Sequence, residues 1–421
     1  MAASLVRRLV DPIVASLRAF RGNARVCILV EPMWGIPYNL FVPYASLYML
    51  ALGVDEKAIG LVAALSMAMQ TFWSLTAGWI TDRFGRRRTS LVVDLISWSL
   101  PTLIWAFARD LNWFLAAAVL NSLVRIVHIS WSCLFIEDAP PESRVSLYAW
   151  IAVAGTLSGF FAPLAGLVVN AFGVVPATRG LYLFAFALMT TMFFVRNAFC
   201  VETAIGKKKM AEVALGKKGA ALAEYKKAAL ALLSSKPALA AFGLAVLSNI
   251  HLMARANFMS VTLTKGIGLA PGLIAAFPPL ASGVTLAVYF LVIPRIVHLR
   301  RALAASLVVN VAGNLLIGLA PVGGIWAVVL GTLLVAFGTG VTGPVVDAVL
   351  ANSVDDATRA TALSIVYTLM FALTAPFGWL GGLLAALSPR APMYLAAATM
   401  AASLLLTLSI DKEKKKPNSG G

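Results

Sequence analysis

Several long stretches of this chain contain no Asp, Glu, Lys or Arg, among them residues 58–81, 145–178, 266–294, 302–346, 360–389 and 391–410. A helix needs ~20 mostly apolar residues to cross the ~30 Å hydrocarbon layer of a bilayer, so each stretch holds a span. The longest holds two, because Pro321, Gly323 and Gly324 interrupt it with a turn. With spans that carry one or two charges, the chain divides into 26–51, 58–81, 89–108, 111–136, 145–171, 180–201, 237–263, 270–296, 302–319, 325–351, 360–386 and 392–410. Only helices and closed barrels satisfy the backbone in lipid, and alternating strands of about ten residues are absent. The expected fold is an all-α polytopic membrane protein with 12 transmembrane helices in two six-helix halves.

Composition agrees: 60% of the 421 residues are hydrophobic and 12% are charged, half the ~25% charge of a soluble domain. That excludes a soluble enzyme, a disordered chain and a disulfide scaffold. No G-x-S-x-G, H-E-x-x-H or phosphate-loop pattern occurs, so no enzyme is expected. No metal or other cofactor is expected either. Cys27, Cys133 and Cys200 share no metal-ligand spacing and read as small apolar residues.

The net charge of +16 would suggest nucleic acid in a soluble protein, but here its distribution reports topology. With an even number of spans, one side holds 26 basic residues and the other holds Lys57, Arg109, Arg179, Lys265 and Arg390. The positive-inside rule puts the first side, with both termini, in the cytoplasm of a cell-membrane protein. No nucleic-acid partner is expected; the partners are a small-molecule substrate and the bilayer, and the chain is expected to act as a monomer. Residues 1–24 lack a signal-peptide pattern. Leu5, Leu9, Ile13 and Leu17 recur every four residues among arginines, which fits a helix on the inner leaflet or a frayed basic tail.

The expected organisation is an N-terminal segment 1–25, a six-helix bundle 26–201, a Lys-, Ala- and Glu-rich cytoplasmic linker 202–236, a second bundle 237–410 and a tail 411–421. The halves echo weakly at an offset of 215, which sets Arg144 on Arg359 and Gly166 on Gly381. Repeated halves of this kind build transport sites between them.

Between the second and third spans stands Gly78-Trp-Ile-Thr-Asp82-Arg83-Phe-Gly85-Arg86-Arg87-Arg88. It resembles the G-x-x-x-D-R-x-G-R-R signature of the major facilitator superfamily, at that family's loop. Physically, Gly78 permits close helix approach, Asp82 is placed to cap the next helix, and Gly85 allows a tight turn. The resemblance implies a latch of Gly78, Asp82, Arg83, Gly85, Arg86 and Arg87 with Glu137 or Asp138 at the end of the fourth span. In the family such a latch holds the outward-open state. The corresponding loop of the second half, 290–301, keeps its arginines but lacks the Gly and Asp.

Eight titratable residues fall within spans: Glu31, Asp94, Arg125, His128, Arg196, His251, Arg255 and Asp347. A charge at mid-bilayer costs about 2.5–3.5 kcal/mol on insertion scales, so it usually faces a cavity or a partner. Six of them lie on spans 1, 4, 7 and 10, which line the central cavity in the family that the chain resembles. The expected substrate and proton site is therefore Glu31, Trp34, Tyr38, Arg125, His128, His251, Arg255 and Asp347. Glu31 and Arg125 are expected to form a buried pair, and Asp94 and Arg196 to serve packing. Gly159-Phe-Phe-Ala-Pro163-Leu-Ala-Gly166 partly matches the fifth-span G-P-x-x-G-G pattern of proton antiporters. The expected function is a secondary transporter working by alternating access and driven by a proton gradient, an exporter like the 12-helix drug/proton antiporters. The alternatives are a proton symporter or facilitator for an organic anion, with Arg125 and Arg255 as ligands, and a lipid flippase.

Overall fold

The computed structural model describes residues 21–140, 144–215, 236–352 and 359–414, all helix, turn and connecting chain without strands. Among these, twelve helices are long and apolar enough to cross a membrane. They are α1 (Gly22–Ala51), α2 (Glu56–Phe84), α3 (Arg86–Phe107), α4 (Leu111–Ile136), α5 (Leu147–Phe172) and α6 (Val174–Phe199) in the first half. In the second half they are α7 (Leu239–Gly266), α8 (Pro271–Val292), α9 (Leu299–Gly318), α10 (Ile325–Val346), α11 (Tyr367–Leu387) and α12 (Ala391–Leu408). A further helix, Ala204–Ala214, opens the linker.

Local chemistry sets the helix ends. Asp55 caps α2 by accepting from the Ala58 N–H at 2.7 Å, and Asp110 caps α4 through the Asn112 N–H at 2.9 Å. Gly85 and Gly173, at φ 83° and 81°, make single-residue reversals between α2 and α3 and between α5 and α6. The second reversal starts α6 at Val174 rather than at the expected position 180. Arg179, expected in a loop, thus lies inside α6, where its Nη2 donates to the Ala108 carbonyl at 3.0 Å. α1 carries Pro32 and Pro37 within regular helix and tightens to a 3₁₀ turn at Val42–Tyr44, around Pro43.

Hydroxyl pairs bind helices within each half: Ser90 to Ser130 at 3.0 Å, Ser99 to Thr190 at 2.6 Å, and Ser306 to Thr342 at 3.0 Å. Between the halves α2 packs on α11, with glycine set against glycine. A Cβ at Gly60 would stand 2.7 Å from the Gly378 carbonyl oxygen and from the Gly382 Cα. Nearby, Lys265 pairs with Glu56 at 2.5 Å and Ser46 donates to the Asn257 carbonyl at 2.5 Å. All of these lie at or toward the face opposite the 83–88 arginine cluster, so that face is closed and the arginine-rich face can be called the basic face. Residues 1–20, most of the linker (216–235) and the tail 415–421 lie outside the described residues.

Candidate functional site

At the basic face the Gly78–Arg88 motif meets the end of α4 and the start of the linker. The Arg86 guanidinium bonds Glu137 through Nε at 3.1–3.2 Å and through Nη2 at 3.1 Å, and pairs with Asp82 at 2.9 Å. Thr203 also donates to Glu137 at 2.5 Å, while Asp138 accepts from the Ala204 N–H at 3.2 Å. Arg87 reaches the Asn197 carbonyl at 2.8 Å.

Four expectations change here. Asp82 does not cap α3; Glu202 does, accepting from the Arg86 and Arg87 N–H groups at 2.9 Å each. A carboxylate from the linker reaches that helix end because Gly85 leaves open the space a side chain would fill, with its Cβ position 2.7 Å from Glu202. Gly78 approaches no helix, since a Cβ there would meet nothing within 4 Å; its neighbour Ala77 is the buried small residue. Arg83 lies outside the latch, 5.2 Å over the exposed Trp79 ring. Finally, the latch is engaged while the opposite face is shut. Asp82, Arg86 and Glu137 all belong to the first half, so their pairing does not need the outward-open arrangement.

Above the latch, α1, α3, α4 and α6 enclose a cavity of about 240 Å³ lined by Glu31, Trp34, Asp94, Trp98, His128, Trp131 and Arg196. Asp94 and Arg196 form a buried ion pair across it. Thus Asp94 and Arg196, expected to serve packing, are the charges that share Glu31's cavity, Arg196 of opposite sign to it and Asp94 of the same sign. His128 stands at the rim and is exposed.

Arg125 is elsewhere, which corrects the expected Glu31–Arg125 pair. Its Nε donates to Gln70 of α2 at 2.8 Å, and its guanidinium stacks 4.2 Å from the Phe371 ring of α11. The reason is helical phase. Val124, Val127, His128 and Trp131 form one stripe of α4 at spacings of three and four, while Ala118, Asn121 and Arg125 form another. The Ser122–Leu123 turn breaks α4 just before Arg125 and helps separate the two.

The second stripe faces a central cavity of about 430 Å³ between the halves. Its wall includes Tyr38, Phe41, Trp98, Trp105 and Tyr182, with the amides of Gln70, Asn121, Asn249 and Asn257. Arg125 is the one charged group among its described lining residues. The aromatic chain is continuous: Trp34 stacks on Tyr38 at 4.7 Å, and both meet Trp98 edge-on at 5.3 and 5.8 Å. Trp98 lines both cavities.

A third cavity, of about 360 Å³, lies in the second half and shares Arg125, Asn249, Leu252 and Phe371 with the central one. His251, Ser248, Asn310 and Thr342 line it. Behind them Asn314 accepts from Arg255 at 3.0 Å and stands 3.1 Å from His251 Nε2. Arg255 also edges a smaller slot of about 200 Å³ between α1, α7 and α8. The Asp347 side chain lies outside the described residues. So the expected site residues divide among separate cavities: Glu31, Trp34 and His128 in one, Tyr38 and Arg125 in the centre, His251 in the third, and Arg255 behind it. Gln70, Asn310, Asn314 and Phe371 carried no sequence signal, because uncharged residues in an apolar span look alike whatever they face. Glu202 was visible only as one acid in a charged linker.

The description "Major Facilitator Superfamily" belongs to the family model that matches residues 34–301 and 296–421. The multi-drug resistance efflux pump PmrA of Streptococcus pneumoniae is 24% identical over 187 residues, covering 41% of this chain and 45% of that protein. The MFS-type transporter YqjV of Bacillus subtilis is 27% identical over 143 residues, 33% of this chain and 35% of that one. The matches thus span less than half the length of these relatives. Among solved structures, the nucleoside transporter NupG superposes with TM-score 0.70 at 13% identity, over 94% of this chain and all of that one. A POT family transporter in complex with a thioalcohol-conjugated peptide gives TM-score 0.68 at 13% identity, over 93% and 96%. The human organic anion transporter MFSD10 (TETRAN) gives 0.59 at 16%, over 91% and 98%. At these identities the likeness is one of fold.

Proposed function

The chain belongs to the Major Facilitator Superfamily, and we propose that this transporter is a proton-coupled exporter of small amphipathic organic compounds. In this reading the basic face and both termini lie in the cytoplasm, which the 26 basic residues on that side support. The observation that carries the reading is the central cavity. It is large enough for a small organic molecule, walled by aromatic rings, and offers one guanidinium and several amides for polar contact. The partial resemblance to PmrA supports export.

Glu31 is the proton-binding group of this reading. Its cavity carries two carboxylates against one arginine, so one proton on Glu31 makes the cluster of Glu31, Asp94 and Arg196 neutral. Low dielectric strongly favours that neutral state. The shared Trp98 wall gives occupancy of one cavity a path to the other. Arg125 as the lone central charge also supports the second reading, an organic anion carrier, in which the same guanidinium pairs with substrate.

The test is transport of an aromatic organic acid in proteoliposomes with an imposed pH gradient. Glu31→Gln is expected to abolish gradient-driven accumulation while counterflow exchange persists, and Arg125→Ala to lose both. Accumulation unchanged in Glu31→Gln between pH 5 and 8 refutes the proton role. Gradient-independent transport that still needs Arg125 selects the facilitator.

A further inference from the structure

The Glu31 cavity and the central cavity share Trp98, and α3 departs from regular helix at that residue. Over Leu95–Ser99 it widens to a π turn, in which the Leu100 N–H reaches the Leu95 carbonyl five residues back. The cause stands in the sequence. Pro101 has no N–H to give the Ser97 carbonyl four residues before it, and its ring crowds that oxygen. A buried carbonyl released in this way needs another donor. Asn121 of α4 supplies it, donating from Nδ2 to the Ser97 oxygen at 2.7 Å. The Thr102 hydroxyl serves the Trp98 and Ser99 carbonyls, at 2.8 and 2.9 Å. Of these replacement bonds, the one from Asn121 comes from another helix.

The widened turn stands between the groups of the two cavities. Asp94, paired with Arg196, immediately precedes it, and Trp98 within it lies edge-on to Trp34 and Tyr38 of α1. Ser99 at its end bonds Thr190 of α6 at 2.6 Å. The titratable groups that line the Glu31 cavity are Asp94 from α3, His128 from α4 and Arg196 from α6. No described lining residue comes from α5, and Cys27 lies one turn away on α1 itself. The turn therefore carries one of Glu31's charged neighbours and is tied to the helix of another. Asn121 in its turn lines the central cavity, one turn before Arg125 on the same stripe of α4. A widened turn held by one bond from a cavity-lining side chain is an element with two arrangements, open while that bond is made and retightened when it is lost.

On the basis of the function proposed above, we propose that Asn121 is the positioning residue that couples the two cavities. An occupant on Arg125 draws the Asn121 amide from the Ser97 carbonyl, the turn shifts, and Asp94 and Trp98 move against Glu31. Asn121 carries no proton itself and acts on Glu31 only through α3. An occupant of the central cavity thus changes the proton affinity of Glu31. By linkage, a proton on Glu31 changes the affinity for that occupant by the same factor. In an exporter that exchanges substrate for protons the two oppose each other, so the occupant binds more tightly as pH rises.

The experiment measures binding of 1-naphthoate, an aromatic acid ionised throughout the range, to the purified full chain by tryptophan quenching between pH 5 and pH 8. Wild type is expected to bind it at least about fivefold more tightly at pH 8 than at pH 5, and Glu31→Gln to abolish the difference. Asn121→Ala is expected to reduce the difference to less than about twofold with Glu31 still in place. The same change orphans the Ser97 carbonyl, so the melting temperature falls. Adding Pro101→Ala supplies the missing N–H, and the double variant is expected to melt closer to wild type while keeping the flat pH profile. A purely structural Asn121 would instead recover the pH dependence together with the melting temperature. Wild-type pH dependence retained in Asn121→Ala, or regained in the double variant, overturns the coupling role. A wild-type affinity that does not vary with pH, or that varies equally in Glu31→Gln, overturns instead the proton-coupled function proposed above.

Discussion

Single residues in this protein take their roles from partners that the sequence keeps far away. Asp94 and Arg196 are separated by 102 positions and meet as a buried pair between α3 and α6. Removing one member of such a pair leaves an uncompensated charge, at a cost of about 3–5 kcal/mol. The two members are not equivalent, because Glu31 lines the same cavity. Arg196→Gln leaves two carboxylates unopposed, whereas Asp94→Asn leaves Arg196 with Glu31. Arg196→Gln is therefore expected to lower the detergent melting temperature more than Asp94→Asn, and the double variant to melt above Arg196→Gln alone. Three melting curves coincident with wild type would show that the pair does not hold α3 to α6. At the same scale, Glu31 was recognisable as a costly intramembrane acid, but its partner was not. Helical periodicity places a residue on a face; it does not say which neighbouring helix that face will meet.

At the scale of elements, the helices were legible because a span must be apolar along its whole length. Their breaks were less so. The Ser122–Leu123 turn in α4 has neither Pro nor Gly, yet it helps separate the stripe with Arg125 from the stripe with His128. The helix α3 is capped by Glu202, a long-range contact that replaces the local cap expected of Asp82. Close packing of α2 on α11 rests on Gly60, whose Cβ position lies 2.7 Å from backbone of Gly378 and Gly382. Backbone has no rotamer to yield, so Gly60→Val must separate the two helices. A membrane-impermeant thiol reagent applied to the opposite face is then expected to label a cysteine at Met49 faster in Gly60→Val than in the Gly60 background. Equal labelling would show that closure does not depend on this contact.

For the whole molecule, the two halves share a fold but not a chemistry. The cavity among α1, α3, α4 and α6 is ionic, with Glu31, Asp94 and Arg196. The cavity of the second half, lined mainly from α7, α10 and α11, holds His251 and Thr342. In the function proposed above, proton binding falls to the first half, with Arg125 and Phe371 where the halves meet. Topology has its own check in intact cells. A single cysteine at Asn112 is expected to react with an impermeant maleimide, and one at Lys412 only after permeabilisation. The reverse pattern would invert the orientation, and with it the direction of export.

The sequence by itself determined twelve spans, the basic face and the family signature, because lipid imposes the same demand on every residue of a span and the charges between spans record the sidedness. Which charges meet was decided only by the tertiary structure. Arg125 turns to Gln70 and Phe371, Glu31 faces Asp94 and Arg196, and Glu202 closes the end of α3. Each of these depends on the rotation and packing of helices whose lipid-facing and cavity-facing surfaces are both apolar. In such helices hydrophobicity no longer marks the inside, and only the packing of the neighbours does.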